Sequence, residues 1–487
     1  MTTIQSLHNW LPKLNNAVVL CIGDVMLDQF VYGDVERVSP EAPVPVLNVN
    51  HCTRAIGGAG NVVCNIAALG AAAQLVSVVG DDTLGVQVRD LLAGMDGIDP
   101  QLLADSGRPT TVKTRFIAGG QQLLRADDET TGDPAQNLLE RVVETATAAL
   151  SLSALGAMIL SDYGKGVLTD EVIRQAIAAA QAAKVPVIVD PKGADYAKYS
   201  GADILTPNRR ELSKAARMAT GGSDEIVAAA QHLIESCGAQ HILVTRGGEG
   251  MSLVSSEGAP VHLPALAREI FDVSGAGDTV VAVLATGLAV GMSITEAAQL
   301  ANIAASLVVA KVGTAVVRNA ELADAVDAAA SIPDKIVDQK RLAEQVAQWR
   351  SRGLTVGFTN GCFDLVHPGH ISLLEQAKSA SDRLIVGLNS DASVTRLKGE
   401  GRPVQDAAAR GLVLASVAAV DVVVVFDDDT PLELIRQICP DVLVKGEDYE
   451  LDAVVGGDIV KAYGGRVVLA NLVDGFSTTA TIQRLVR

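Results

Sequence analysis

Phe271 to Thr279 (FDVSGAGDT) places a carboxylate, Asp278, directly after Gly275, Ala276 and Gly277 and ahead of a long apolar stretch. Glycines let the backbone approach a phosphate closely, and the free N–H groups of a helix start point at it. An acid at that spot can take the proton from a hydroxyl that attacks the phosphate. The same spacing also suits a strand-to-helix turn with Asp278 as its N-terminal cap. A second chemical stretch is GFTNGCFDLVHPGH, residues 357 to 370. An apolar strand ends at Thr359, a glycine loop carries Asp364, and His367 and His370 flank Pro-Gly at a helix start opened by Pro368. Two imidazoles and the helix dipole can converge there on a phosphate. Zinc is the other reading of such a pair, but no third Cys or His ligand is near in sequence and Cys362 lies on the wrong side of a loop.

Both stretches need a scaffold, and the chain supplies a repeating one. Val18 to Gly23 is a short apolar run typical of a first buried strand in an α/β sheet. MILSDYGKG (158 to 166), VPVIVDPKG (185 to 193), ADILTPNRREL (202 to 212) and HILVTRGGEGM (241 to 251) repeat one pattern. Each is an apolar strand whose C-terminal end carries Gly, Asp, Asn, Lys or Arg, and ligands of open parallel sheets sit beyond those ends. IGGAGNVVCNIAALG (56 to 70) is a glycine turn feeding a small-residue helix with Asn61 near its start. It serves either tight packing or close approach of backbone to a ligand. Residues 29 to 49 alternate valines with polar residues and prolines, so they read as exposed or edge strands, a lid or a dimer surface. TVKTRFIA (111 to 118) puts Lys113 and Arg115 on one strand face, with Arg125 nearby. No GxxxxGK[ST] occurs and the glycine turns do not spell GxGxxG, which argues against a P-loop and a dinucleotide Rossmann site.

Composition bounds the rest. At 487 residues the chain suggests two or three domains. Aromatics at 3% argue against base stacking, and a net charge of -18 argues against nucleic acid or an anionic membrane as partner. Six scattered cysteines without a CxxC pair read as reduced, mostly core residues. No basic segment followed by an apolar one opens the chain, and the uncharged run Thr279 to Thr295 is too short to span a bilayer. The expectation is a soluble cytoplasmic protein. Residues 331 to 353 form the most charged helical stretch and carry Pro333, so they read as a solvated linker between domains at 1 to 330 and 354 to 487.

GGAGN (57 to 61), PNRRE (207 to 211) and DVSGAGDT (272 to 279), in this order, resemble the ribokinase family of sugar kinases over about residues 15 to 320. The resemblance implies an α/β sandwich with a β lid. It makes Asp278 the general base and the N–H groups of Gly275, Ala276 and Gly277 an anion hole. It places Asn208, Arg209, Arg210 and Glu211 at ATP, with Asn208 and Glu211 ordering Mg2+ and the phosphates. Asp28, matched to the first-strand aspartate of the family, and Asn61 would touch the sugar. Asn302 to Thr314 would lie near the adenine. Residues 354 to 487 resemble the HxGH nucleotidylyltransferase superfamily, through the histidine stretch and through LIVGLNSD, LKGEGRP, VLVKGEDY and GFSTTATIQR downstream. That resemblance implies a Rossmann-like fold. His367 and His370 would stabilise the α-phosphate by electrostatics. Thr359, Asn360, Gly361 and Phe363 would line the ATP site, Ser477, Thr478 and Thr479 would hold pyrophosphate, and Lys445 would face a substrate phosphate.

A sugar kinase fused in this order to an HxGH transferase resembles the bifunctional bacterial enzymes that make ADP-heptose for the lipopolysaccharide core. The implied substrates are ATP with D-glycero-β-D-manno-heptose 7-phosphate, phosphorylated at O1, and ATP with the corresponding 1-phosphate, which gives ADP-heptose and pyrophosphate. Lys113, Arg115 and Arg125 are then candidates for the 7-phosphate, and the exposed edges of residues 29 to 49 suggest a kinase-domain homodimer. Other substrates, such as a polyol or another sugar with cytidylyl transfer, keep both folds. A sensor on a decayed kinase fold would lack the base or anion hole that this chain retains.

Overall fold

The computed structural model describes residues 4–151, 154–266, 273–311, 315–329, 332–447 and 450–471. It divides into two compact units, Met1–Ala329 and Ala330–Arg487.

The first unit has thirteen strands among its described residues: β1 (Val18–Gly23), β2 (Val25–Val38), β3 (Pro45–Gly58), β4 (Ala72–Gly80), β5 (Ile98–Asp105), β6 (Val112–Ala118), β7 (Gln121–Asp128), β8 (Ala157–Ser161), β9 (Val187–Asp190), β10 (Ile204–Leu205), β11 (His241–Thr245), β12 (Met251–Ser255) and β13 (Val261–Leu263). Nine make one sheet in the order β13-β12-β11-β10-β9-β8-β1-β4-β5. It is parallel from β11 to β5, with β12 and β13 antiparallel at one edge. Side chains of β1 alternate between two cores. Val19 and Cys21 join one face, and Leu20 and Ile22 the other. A parallel sheet covered on both faces needs that continuous apolar run. Its C-terminal strand ends open toward the loops that carry the polar residues.

The other four strands form a separate sheet, β3-β2-β6-β7. β2 is buried at its root and exposed beyond Gly33, and β7 is exposed along its length. The expected exposed strands at 29 to 49 are the two long arms of this lid.

The second unit is a six-stranded, all-parallel sheet among the described residues. Its strands are β14 (Ile336–Val337), β15 (Val356–Gly361), β16 (Arg383–Asn389), β17 (Val422–Phe426), β18 (Val442–Gly446) and β19 (Arg466–Ala470), in the order β14-β17-β16-β15-β18-β19. The charged stretch read as a linker is part of this unit. β14 pairs with β17, and the helix Gln339–Ser351 buries Leu342, Val346 and Trp349 in the core. Those three residues lie at i, i+4 and i+7, an apolar stripe that the surrounding charges hid.

Among the described residues no helix is long and apolar enough to cross a membrane. All six cysteines are free, but only Cys21 and Cys237 are buried and Cys52 is exposed, which corrects the expectation of a mostly core set.

Candidate active sites

In the first unit the helix Ala276–Ala289 begins inside the glycine turn, ahead of Asp278. Gly275 is its N-cap, in the left-handed region at φ 77°, and a Cβ there would meet the Asn61 amide nitrogen at 2.8 Å. Glycine is thus required both by backbone and by neighbour. A Cβ on Gly277 would enter open space, which leaves room for a ligand at the first turn. Of the three expected anion-hole amides, that of Ala276 is turned back to the Val273 carbonyl at 3.3 Å.

Asp278 is buried and is not the cap of its helix. Its Oδ2 accepts the Asn61 Nδ2–H at 2.7 Å, and its Oδ1 accepts the Tyr163 hydroxyl at 2.6 Å. Burial raises its pKa to about 6, the two hydrogen bonds oppose that rise, the Asp28 charge adds to it and Lys113 opposes it. Asn61 is therefore a partner of the carboxylate. It lies in the first turn of the helix Ala59–Ala68, where Thr279 and Asn65 extend the network.

Asp28 lies on β2 at the root of the lid, not on the first strand as expected, because the chain bends at Asp24 and starts a new strand at Val25. Its carboxylate pairs with Arg115 Nη1 at 2.5 Å. Arg125, exposed, is held by Asp127 at 2.8 and 3.0 Å. Lys113 makes no ion pair among the described residues. Its ammonium lies 5.5 Å from the centre of the Tyr163 ring, and burial lowers its pKa. Of the three cations expected at a sugar phosphate, Lys113 alone is not already paired to a carboxylate.

Asn208 caps the helix Arg209–Ala216 in a reciprocal box with Glu211, at 3.0 Å in each direction. Arg209 pairs with Glu249 at 2.6 Å, and Arg210 is exposed. Asp190, at the end of β9, has a pKa well above the ordinary carboxylate range, through burial and the charges of Asp278 and Glu211. The sequence reading did not single out Asp190 or Tyr163. Three other strand-end aspartates serve structure. Asp24 accepts the amides of Tyr163, Lys165 and Val167, Asp82 caps the helix Thr83–Ala93, and Asp162 accepts Tyr199 and Lys198. Asn302 donates to the Pro264 carbonyl at 2.9 Å, and residues 312–314 of the expected adenine segment lie outside the described residues.

In the second unit β15 runs two residues further than expected, to Gly361, and the helix Pro368–Ser379 follows with His367 as N-cap and Pro368 at N1. The imidazoles of His367 and His370 stack with centroids 3.9 Å apart. His370 Nδ1 accepts the His367 backbone N–H at 3.4 Å, which assigns the ring proton to Nε2 and makes that atom a donor. Burial and the neighbouring His367 lower the His370 pKa to about 4, and burial lowers that of His367. Phe363, at φ 43°, packs its ring 5.1 Å from that of His370. Thr359 Oγ1 and Asn360 Oδ1 are buried without a hydrogen-bond partner. Lys445 Nζ donates to the Asn360 carbonyl at 3.0 Å, so it braces this loop. Arg410, fully buried, donates to the Cys362 and Gln405 carbonyls at 2.5 and 2.9 Å and to Asp391 at 2.7 Å. Its one sequence signal was a lone charge inside the apolar helix Ala407–Ala415. Ser477, Thr478 and Thr479 lie outside the described residues. No cluster of three or more His, Cys, Asp or Glu able to hold a metal occurs among the described residues.

The fold and these sites define a sugar kinase joined to a nucleotidylyltransferase, and comparison agrees. The model of the pfkB family carbohydrate kinases matches residues 16–320, and a cytidylyltransferase-like model matches residues 358–483. The potassium complex of phosphofructokinase-2 from Escherichia coli superposes with a TM-score of 0.54 at 20% identity, covering 64% of this chain and 98% of that one. Arabidopsis thaliana ribokinase superposes with a TM-score of 0.50 at 21% identity, covering 64% and 98%. These likenesses show a ribokinase-like fold. The bifunctional protein HldE of Paramagnetospirillum magneticum is 54% identical over 100% of this chain and 99% of its own. The chain belongs to the pfkB carbohydrate kinases and, over its whole length, to the bifunctional HldE family within them.

Proposed function

We infer that this chain is a bifunctional transferase of ADP-heptose synthesis. One unit phosphorylates heptose 7-phosphate at O1 from ATP, and the other joins heptose 1-phosphate to AMP from ATP with release of pyrophosphate. The observation that carries this reading is the pairing, on one chain alike to its relatives end to end, of a clamped carboxylate and a two-histidine helix start.

In the kinase unit Asp278 takes the proton of the anomeric hydroxyl as that oxygen attacks the γ-phosphate. The first turn of its helix faces the charge that develops. Lys113 is the group best placed for the sugar's 7-phosphate. The side-chain oxygens of Asn208, Glu211 and Asp190 would suit Mg2+, and a divalent cation would offset both the burial of Asp190 and the charges of Asp278 and Glu211 that raise its pKa. Bound there, Mg2+ supplies charge neutralisation of the ATP phosphates. In the transferase unit the sugar 1-phosphate is itself the nucleophile. Neutral His370 donates from Nε2 to the α-phosphate, while Thr359 and Asn360 take up nucleotide polar groups. Exposed Val38, Val44, Val49 and Leu124 on the lid support pairing of two copies through that sheet.

The test is to incubate the protein with Mg2+, a panel of sugar phosphates, and ATP or CTP, and to identify products by mass. Heptose 1,7-bisphosphate from the 7-phosphate and ADP-heptose from the 1-phosphate are expected. CDP-linked products in preference to ADP-linked ones would replace the adenylyl reading with cytidylyl transfer, which the cytidylyltransferase-like model alone does not decide.

A further inference from the structure

The loop after β8 is pinned unusually firmly for a strand-end loop. Asp24 accepts the backbone N–H groups of Tyr163, Lys165 and Val167 at 3.0, 3.0 and 3.1 Å, and Asp162 accepts that of Gly164 at 2.8 Å. What this rigidity fixes is the Tyr163 ring. Its hydroxyl lies 2.6 Å from Asp278 Oδ1, across 115 residues of sequence, while Asn61 reaches the other oxygen. We propose that Tyr163 is a positioning residue of the kinase step, holding the Asp278 carboxylate in a two-donor clamp with Asn61.

The clamp answers a physical problem. A buried carboxylate tends to take up a proton, and a protonated Asp278 cannot accept one from the sugar hydroxyl. Burial also raises the Tyr163 pKa well above its ordinary range, so its phenol stays neutral and remains a donor. Each carboxylate oxygen can accept two hydrogen bonds. With one taken on each, a lone pair stays available to the sugar hydroxyl and the plane of the group is set. The other titratable groups facing Asp278 are Asp28 on β2, Lys113 on β6, Asp190 on β9, Cys21 on β1 and Cys64 on the helix Ala59–Ala68. Of these, Lys113 alone favours the ionised form, and it approaches the ring face of Tyr163 and makes no hydrogen bond to Asp278. The ionised base thus depends chiefly on the two neutral donors.

The proposal rests on Asp278 being the base, and the experiment separates the two ideas. Kinase kcat/KM is measured from pH 5 to 9 for the wild-type protein and for Tyr163→Phe, Tyr163→Met and Asp278→Asn. Adenylyl transfer and thermal melting of each sample report its integrity. Loss of a hydrogen bond to a charged group should move the acid limb of the Tyr163 variants upward by about one pH unit. Their kinase activity then falls about tenfold below that limb and recovers at alkaline pH. A loss of equal size at every pH, or an unmoved limb, overturns the role of Tyr163. Substantial kinase activity in Asp278→Asn overturns the base assignment instead.

Discussion

The two sites use one backbone device and opposite electrostatics. Each opens a helix, with Asp278 and His370 both in the first turn, and the transferase helix follows the buried parallel strand β15. Burial drives both groups toward neutrality, the carboxyl up to about 6 and the imidazole down to about 4. In the kinase unit the neutral form is the useless one, and Asn61 and Tyr163 oppose it. In the transferase unit the neutral form is the donor that the chemistry needs, and packing against His367 and Phe363 adds no countercharge. Linkage gives the two shifts opposite consequences. Asp278, raised above its unfolded value of 3.8, contributes stability that is full below that value and lost as pH rises through about 6. His370, lowered from 6.5, contributes stability that is lost as pH falls from there through about 4.

The sharpest break between the units is a pair of substitutions. Asp278→Asn keeps the size of the side chain but cannot act as a base, so the kinase rate should fall by ~10²–10⁴-fold. Adenylyl transfer from supplied sugar 1-phosphate should stay at the wild-type rate. His370→Ala removes a donor at the α-phosphate, so pyrophosphate release should fall by about 10²–10³-fold while the kinase step persists. Both rates are read on each variant, with melting curves to confirm folding. If either substitution silences both reactions in a folded protein, the two sites are not independent. Stoichiometric zinc in the wild-type protein that is lost in His370→Ala would return the histidines to a metal-binding role.

The sequence showed each chemical motif and the order of the units, because glycine turns and a His-Pro-Gly-His helix start are local signals. It hid what depends on distant pairing. The helix takes in Ala276 and Gly277 although glycines disfavour helix interiors, because a first turn tolerates them where N–H groups have no intrahelical acceptor. The Asp278–Tyr163 contact joins a helix start to the loop after β8, brought together only by the fold, and no spacing announces it. Arg125 looked like a phosphate ligand until Asp127, two residues on along the same strand, was found to hold it. The charged stretch before β15 misled because its three core residues are few against its charges, although their spacing is helical.

The smallest effect discriminates most finely, because it uses the unmodified protein. Between pH 8 and 7 both reactions should run on groups already in their working forms. Below about 6 Asp278 gains a proton, and kinase kcat/KM should fall, approaching about tenfold for each further pH unit. His370 stays neutral until about 4, and His367 also lies below its ordinary value, so transfer should not share that fall. ATP and the sugar phosphates carry their own ionisations near this range, but ATP and one sugar phosphate enter each assay, and the ratio of the two rates at fixed MgATP offsets them. That ratio should be level above pH 7 and drop about five- to sixfold between pH 6 and pH 5. A ratio that is flat across the range would mean that Asp278 is not the titrating base. A ratio that rises toward acid would mean that the histidines must be neutral yet titrate far higher than their buried, stacked environment implies.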